Sequence, residues 1–276
     1  MLMSRQVLRL LRAGALLLHT LLGALLGLLL SAMPARLRAH LAPPWSSWWL
    51  RRVAGILDIR VLVHGQPSAT ACLMAANHVS WLDILVLAAA GDIGFVAKTE
   101  IDHWPMLGWM SRAGGTEFIA HGEHSSYRLL LQCMTRRLSQ GGKLLVFPEG
   151  SSHARIAPAR FRPRLFQAAI DAKVPVQPVA IYYGSGADLE RVACMDDADL
   201  PRQLWALLSA EPVLAEVSCL PLLSSVGGDA KLLADEAWRA VVSSNVQFTL
   251  FESESRSLMT PPGLSDIQAQ GLYRAA

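Results

Sequence analysis

The chain has 276 residues, 52% of them hydrophobic and 17% charged, where a soluble domain usually carries about 25% charged residues. Its mean hydropathy of +0.32 excludes intrinsic disorder and points to membrane contact. Lys and Arg number 25 against 22 Asp and Glu, a net charge of +3. No basic stripe of the kind nucleic acid requires is present, so no nucleic-acid partner is expected, and an anionic bilayer surface suits the balance better.

From Ala13 to Met33 the sequence AGALLLHTLLGALLGLLLSAM carries no formal charge, and about twenty such residues can cross a bilayer. Arg5, Arg9 and Arg12 precede it, as in a secretory signal. The apolar stretch is long for a signal, however, and no A-x-A cleavage site stands before Pro34. It reads as a membrane anchor. Arg36, Arg38, Arg51 and Arg52 lie on its other side, so positive-inside bias gives no orientation; a spanning helix and one that dips into a single leaflet both fit. The next segment, PPWSSWWLRRVAGIL from Pro43 to Leu57, places Trp45, Trp48 and Trp49 beside two arginines. It fits the headgroup layer and equally a core helix with a basic end.

After Leu57, short apolar runs alternate with helical stretches. Strands are expected at Ile59–Val63, Cys72–Ala75, Phe95–Lys98, Thr116–Ile119, Leu144–Phe147 and Val176–Tyr183. Helices are expected at Trp81–Ala90, Ser125–Leu138 (closed by Gly141-Gly142), Pro163–Ala172, Leu204–Ser209 and Asp229–Ser243. This pattern predicts an α/β fold: a mixed sheet flanked by helices, preceded by the N-terminal hydrophobic helical segment. The expected divisions are 1–57 for the membrane-anchoring segment, 58–250 for the main domain and 251–276 for a loose polar tail. Cys72, Cys133, Cys194 and Cys219 form no CxxC pair and read as reduced thiols, which suits a cytosolic main domain.

Two motifs carry chemistry. Asn77-His78-Val79-Ser80-Trp81-Leu82-Asp83 leaves an apolar strand and opens an apolar helix. Ser80 and Asp83 make a capping box with Ser80 as N-cap, which leaves His78 in the loop before the helix. On one continuous helix, residues five apart point well away from each other; a loop-to-helix corner lets the imidazole fold back over the first turn. Asp83 can then accept the proton of one ring nitrogen and leave the other as a base. A loop histidine beside a capping aspartate has the same spacing, so the residues alone leave both readings open. No G-x-S-x-G elbow is present, so such a base would act on a substrate hydroxyl. The second motif, Phe147-Pro148-Glu149-Gly150-Ser151-Ser152, puts a carboxylate in a tight turn at a strand end. Ligands bind at that place in open α/β sheets, and a plain surface turn reads the same way.

Taken together the motifs resemble those of the glycerolipid acyltransferases, which include the 1-acylglycerol-3-phosphate acyltransferases. The family's N-H-x4-D block is matched by Asn77 to Asp83, its G-x-x-F-I-x-R block by Gly115-Thr116-Glu117-Phe118-Ile119, its F-P-E-G block by Phe147 to Gly150, and its V-P-V-x-P block by Val174 to Pro178. Phe95 to Lys98 and Trp104 to Gly108 are similar to the segment between the first two blocks, and the likeness runs from about Leu73 to Tyr183.

The resemblance implies that His78 takes the proton from the acceptor hydroxyl, which attacks the thioester of acyl-CoA or acyl carrier protein. Asp83 orients His78, and no acyl-enzyme, metal or organic cofactor is implied. It also implies that Asn77, Gly115, Phe118, Ile119, His121, Phe147, Pro148, Glu149, Gly150, Ser151 and Arg162 bind substrate. His121-Gly122-Glu123-His124 lacks the helical spacing of a zinc site.

Two departures bear on the acceptor. His121 stands where the second block ends in Arg, and Ser151-Ser152 where Thr-Arg often follows F-P-E-G. Both arginines suited to a phosphate are therefore missing. Arg155, Arg160, Arg162 and Arg164 follow closely; they can replace the missing pair, or face headgroups and solvent. The expected activity is O-acylation of a lysolipid at the cytoplasmic face of the inner membrane, first of 1-acylglycerol-3-phosphate to give phosphatidic acid. Another lysolipid such as lyso-ornithine lipid is the alternative acceptor, and a non-catalytic lipid-binding membrane protein the alternative class.

Overall fold

The computed structural model describes residues 5–98, 107–113, 116–119, 124–150, 158–184, 189, 192, 200–208 and 211–259. The apolar segment forms helix α1 (Arg5–Ser31), which a bend at Ala32 to Pro34 joins to helix α2 (Ala35–Ile56). The two run antiparallel: Arg12 reaches Asp58, just past the end of α2, at 2.9 Å, His19 stacks on Trp49, and Gly27 meets Trp45. A Cβ at Gly27 would stand 3.2 Å from ring atoms of Trp45 and Trp109, so glycine there lets three elements meet. Leu10, Leu17, Leu18, Leu21, Leu25 and Leu28 remain exposed on α1. Helix α2 begins eight residues before Pro43 and carries Pro43-Pro44 in its interior, although each proline forfeits one backbone hydrogen bond.

Beyond the hairpin, among the described residues, seven strands form one sheet: β1 (Ile59–Gly65), β2 (Cys72–Ala76), β3 (Gly94–Lys98), β4 (Glu117–Ile119), β5 (Lys143–Val146), β6 (Val176–Tyr182) and β7 (Val213–Cys219). Their spatial order is β1-β7-β6-β2-β5-β3-β4. The five from β6 to β4 are parallel, β7 is antiparallel to β6, and β1 is parallel to β7. The sheet is thus mixed, as the sequence pattern predicts.

Helices cover both faces. On one lie the end of α2, α3 (Leu82–Leu87, continued by a 3₁₀ turn at Ala88–Ala90) and α7 (Leu200–Leu207). On the other lie α5 (His124–Ser139), α6 (Gln167–Ala172, entered through a 3₁₀ turn at Pro163–Phe166) and α8 (Ala230–Met259). Helix α4 (Leu107–Ala113) packs against α1. Strand β2 sends Cys72, Met74 and Ala76 into the first core and Leu73 and Ala75 into the second, the two-residue alternation of a strand. Buried on both faces, it reads as an unbroken apolar run. The other expected strands and helices are present, with ends shifted by a few residues.

Three differences stand out. Strand β7 is absent from the sequence reading. Helix α7 begins at Leu200 instead of Leu204, and Ser209 lies outside the described residues. Helix α8 runs past position 251, where the sequence reading begins its tail, to Met259; residues 260–276 lie outside the described part.

Candidate active site

Strand β2 sits between β6 and β5, and the chain leaving it at Asn77 is gripped from both neighbours. Asn77 donates from Nδ2 to the Ile181 carbonyl at 3.0 Å, and its Oδ1 accepts the Ile181 N–H at 2.8 Å. The next residue, His78, donates its backbone N–H to Glu149 Oε1 at 2.7 Å, and Glu149 Oε2 accepts the Ala159 N–H at 2.7 Å. The turn after β5 is thereby joined to the loop after β2.

The corner foreseen in the sequence is present. Asp83 N–H bonds the Ser80 carbonyl, Ser80 Oγ accepts the Leu82 N–H at 3.2 Å, and the Asp83 carboxylate accepts the Ser80 N–H at 3.2 Å. Only the carboxylate half of the expected capping box forms: Ser80 Oγ takes the Leu82 N–H instead of the Asp83 N–H, and with regular helix starting at Leu82 the N-cap position falls on Trp81, one residue later than the sequence places it. The imidazole folds over that first turn, and His78 Nδ1 stands 2.7 Å from Asp83 Oδ2.

Asp83 is fully buried, a position that is costly for a carboxylate without donors. It has four. Oδ2 accepts from His78 Nδ1, Val79 N–H and Ser80 N–H, and Oδ1 accepts from the Tyr183 hydroxyl at 2.7 Å. A carboxylate only accepts, so Nδ1 carries the ring proton and Nε2 keeps its lone pair. The His78 ring stacks on Phe147, centroids 4.0 Å apart at 17°, and its side chain is 18% exposed. Nε2 makes no hydrogen bond among the described residues, and an imidazole held in this way can take a proton.

The turn Phe147 to Gly150 closes with Gly150 N–H on the Phe147 carbonyl. Gly150 has φ +86, and a Cβ there would lie 2.8 Å from the Arg162 guanidinium. Both facts require glycine. Pro148 is buried and its carbonyl accepts the Arg162 N–H. Arg162 is exposed and makes no ion pair among the described residues. Its neighbours are committed elsewhere. Arg160 pairs with Asp235 at 2.5 Å and lies over Trp238 at 3.7 Å, and Arg164 lies over Tyr127.

The expected binding residues therefore divide. Phe147 stacks on His78, and Pro148, Gly150 and Arg162 lie in or against the turn that Phe147 opens. Asn77 is 1% exposed and holds Ile181 with both ends of its amide, so it braces two strands. Glu149 likewise turns its carboxylate inward to two backbone N–H groups and is 4% exposed, so it acts through the loop that it holds. Phe118 and Ile119 lie on β4 at the far edge of the sheet. Gly115, His121, Ser151 and Arg155 lie outside the described residues. Tyr183 is the member that sequence reasoning missed. Only its position at the end of a predicted strand could have flagged it.

Comparison with known proteins identifies the family. The acyltransferase family model matches residues 60–182. A lyso-ornithine lipid O-acyltransferase of Pseudomonas aeruginosa is 37% identical over 195 residues, covering 70% of this chain and 75% of that protein. The chain belongs to the acyltransferase family. A 1-acyl-sn-glycerol-3-phosphate acyltransferase of Neisseria meningitidis serogroup B is 31% identical over 208 residues, covering 72% of this chain and 81% of the relative. The fold is that of the Thermotoga maritima 1-acyl-sn-glycerophosphate acyltransferase PlsC, with a TM-score of 0.65 at 18% identity over 89% of this chain and 98% of that one. This acyltransferase is thus an enzyme of lipid metabolism with an apolar N-terminal helix.

Proposed function

We propose that the chain transfers a fatty acyl group from acyl-CoA or acyl carrier protein to the free hydroxyl of lyso-ornithine lipid. The observation that carries the transfer step is the His78–Asp83 pair, with Nδ1 held at 2.7 Å and Nε2 making no hydrogen bond among the described residues. The acceptor O–H gives its proton to Nε2 as the oxygen adds to the thioester carbon. The tetrahedral intermediate then collapses, breaking the C–S bond, and the imidazolium returns the proton to the departing thiolate. General-base assistance of this kind is worth about 10²–10⁴-fold. The chemistry balances without a metal, an organic cofactor or an acyl-enzyme.

Two observations support an ornithine headgroup. His121 replaces the arginine that a phosphate dianion calls for, and the Pseudomonas aeruginosa relative bears that activity in its name. An ornithine carboxylate carries a single negative charge, which one guanidinium can bind as a fork; the exposed Arg162, against the Phe147–Gly150 turn, is the proposed donor. Lysophosphatidic acid is the second reading, favoured by the Neisseria relative and by the same arginine.

The enzyme is proposed to work at the cytoplasmic face of the inner membrane, with the α1–α2 hairpin sunk into one leaflet. The exposed leucines of α1 supply the apolar face, and arginines in the first turns of α1 and at the start of α2 suit a hairpin lying along the headgroups.

The test is acyl transfer by purified protein, wild type beside His78→Ala, with labelled acyl-CoA or acyl carrier protein against lyso-ornithine lipid and lysophosphatidic acid. Turnover of lyso-ornithine lipid that the variant loses by at least about 10²-fold is expected. Turnover of lysophosphatidic acid alone moves the acceptor and keeps the mechanism. Equal activity of the variant removes His78 as the base.

A further inference from the structure

We infer that Tyr183 is a positioning residue for acyl transfer: its phenol fixes the Asp83 carboxylate in the plane that presents Oδ2 to His78 Nδ1. The inference rests on His78 acting as the base. Tyr183 follows β6 and is 2% exposed, its ring packed in the cluster that holds Ile181, Leu82 and Val86. Phenylalanine would fill the same space, so packing accounts for the ring and leaves the hydroxyl to be explained. That hydroxyl donates to Asp83 Oδ1 at 2.7 Å.

The need for such a donor follows from the carboxylate's own freedom. The torsion that rotates an aspartate carboxylate is broad. Oδ2 is held on one side by His78 Nδ1 and two backbone N–H groups of the same short loop. Among the described residues Tyr183, which follows β6, alone holds Oδ1. With both oxygens fixed, the plane cannot rotate as the proton moves on and off the imidazole. Burial first, then the charge of Asp83 and the hydrogen bond to it, push the phenol well above the ordinary tyrosine range; it stays a donor wherever the enzyme works. The titratable groups facing the pair, among the described residues, are Tyr183 from β6 and Glu149 from the turn after β5, with Arg162 outside against Gly150.

The test compares wild type, Tyr183→Phe and His78→Ala in the same detergent, measuring kcat, both KM values and the pH–rate profile. Tyr183→Phe is expected to lower kcat about tenfold, the size of one hydrogen bond's net contribution, with both KM values unchanged. Its acid limb moves to higher pH, because the Asp83 charge freed from the phenol bears more strongly on the protonated imidazole. The limb position does not depend on how much protein is folded, so it reads out from a partly folded preparation. Tyr183→3-fluorotyrosine keeps the packing and is a stronger donor, and is expected to move the limb to lower pH. A kcat within twofold and an unmoved limb in both variants would overturn the inference. So would a loss that merely follows the folded fraction. Full activity of His78→Ala would overturn the base reading and this inference with it, whereas an inactive His78→Ala beside an unaffected Tyr183→Phe would overturn this inference alone.

Discussion

Glu149 offers the sharpest choice between a group that binds the acceptor and one that holds the site together. Its two carboxylate oxygens each accept a backbone N–H at 2.7 Å, from His78 and from Ala159, at a position 4% exposed. In Glu149→Gln one oxygen becomes an NH₂ that faces an N–H, donor against donor. One charge-assisted bond, worth about 1.5–3 kcal/mol, is lost and the other is weakened, a total of about 2–4 kcal/mol. At about 2–4 °C per kcal/mol for a chain approaching this size, the melting temperature falls by about 5–15 °C. The His78 backbone loses its tether to the β5 turn, so the imidazole is less often in place and kcat drops. The acceptor KM stays where it was, because the carboxylate never faces the acceptor. Differential scanning fluorimetry in detergent and steady-state kinetics on the same preparation read both quantities. A tenfold rise in acceptor KM with an unchanged melting temperature would refute the reasoning and return Glu149 to direct binding.

Gly150→Ala puts a methyl where the Arg162 guanidinium lies and forces alanine to φ +86, costing about 1–2 kcal/mol of backbone strain and displacing the arginine. Its effect on acceptor KM should overlap with that of Arg162→Ala, so the double variant should show markedly less than the sum of the two; additive effects would place Arg162 outside the acceptor site. Asn77→Ala strips two buried hydrogen bonds from Ile181, and should cost about 2–4 kcal/mol, seen as a lower melting temperature with no change in acceptor preference. Burial pushes the Cys219 thiol up to about 11, and burial likewise raises Cys72, while Cys133 is exposed. At pH 8 iodoacetamide should therefore label Cys133 and spare Cys72 and Cys219 until the protein unfolds, as peptide mass mapping would record.

How far the sequence carries the fold can be followed strand by strand. Strands β2, β5 and β6 are legible because each is buried on both faces and reads as an apolar run, and the loops after them hold the motifs. Strand β7, Val213-Leu-Ala-Glu-Val-Ser-Cys219, escapes because Glu216 and Ser218 interrupt it. In the structure Glu216 meets His64 at 2.7 Å across the β1 pair, a contact that local pattern cannot announce. The His78–Asp83 meeting was legible because Ser80 and Asp83 mark a loop-to-helix corner, although the helix starts one residue later than the expected cap. The roles of Asn77 and Glu149 were not. Each is decided by a backbone partner more than seventy residues away in sequence, and an amide or carboxylate in a motif looks the same whether it points in or out.

The anchor and the catalytic domain are not separable in the way that composition suggests. Helix α1 is apolar enough to cross a membrane, yet Arg12 is bonded to Asp58, Arg9 lies over Trp205 of α7, and Ala13 and Leu16 pack against the core cluster that contains Leu82. Helix α7 in turn holds Trp81, next to that leucine, through Gln203 at 2.8 Å. A helix standing free of the domain and crossing the bilayer would leave these partners behind. Held against the domain, α1 turns its leucines outward along one side, so the surface that meets lipid and the elements that carry the base belong to one packed unit. With the proposed hairpin in one leaflet, that arrangement would keep His78 at a fixed distance from the bilayer, where a lysolipid would present its hydroxyl with its acyl chain still in the membrane.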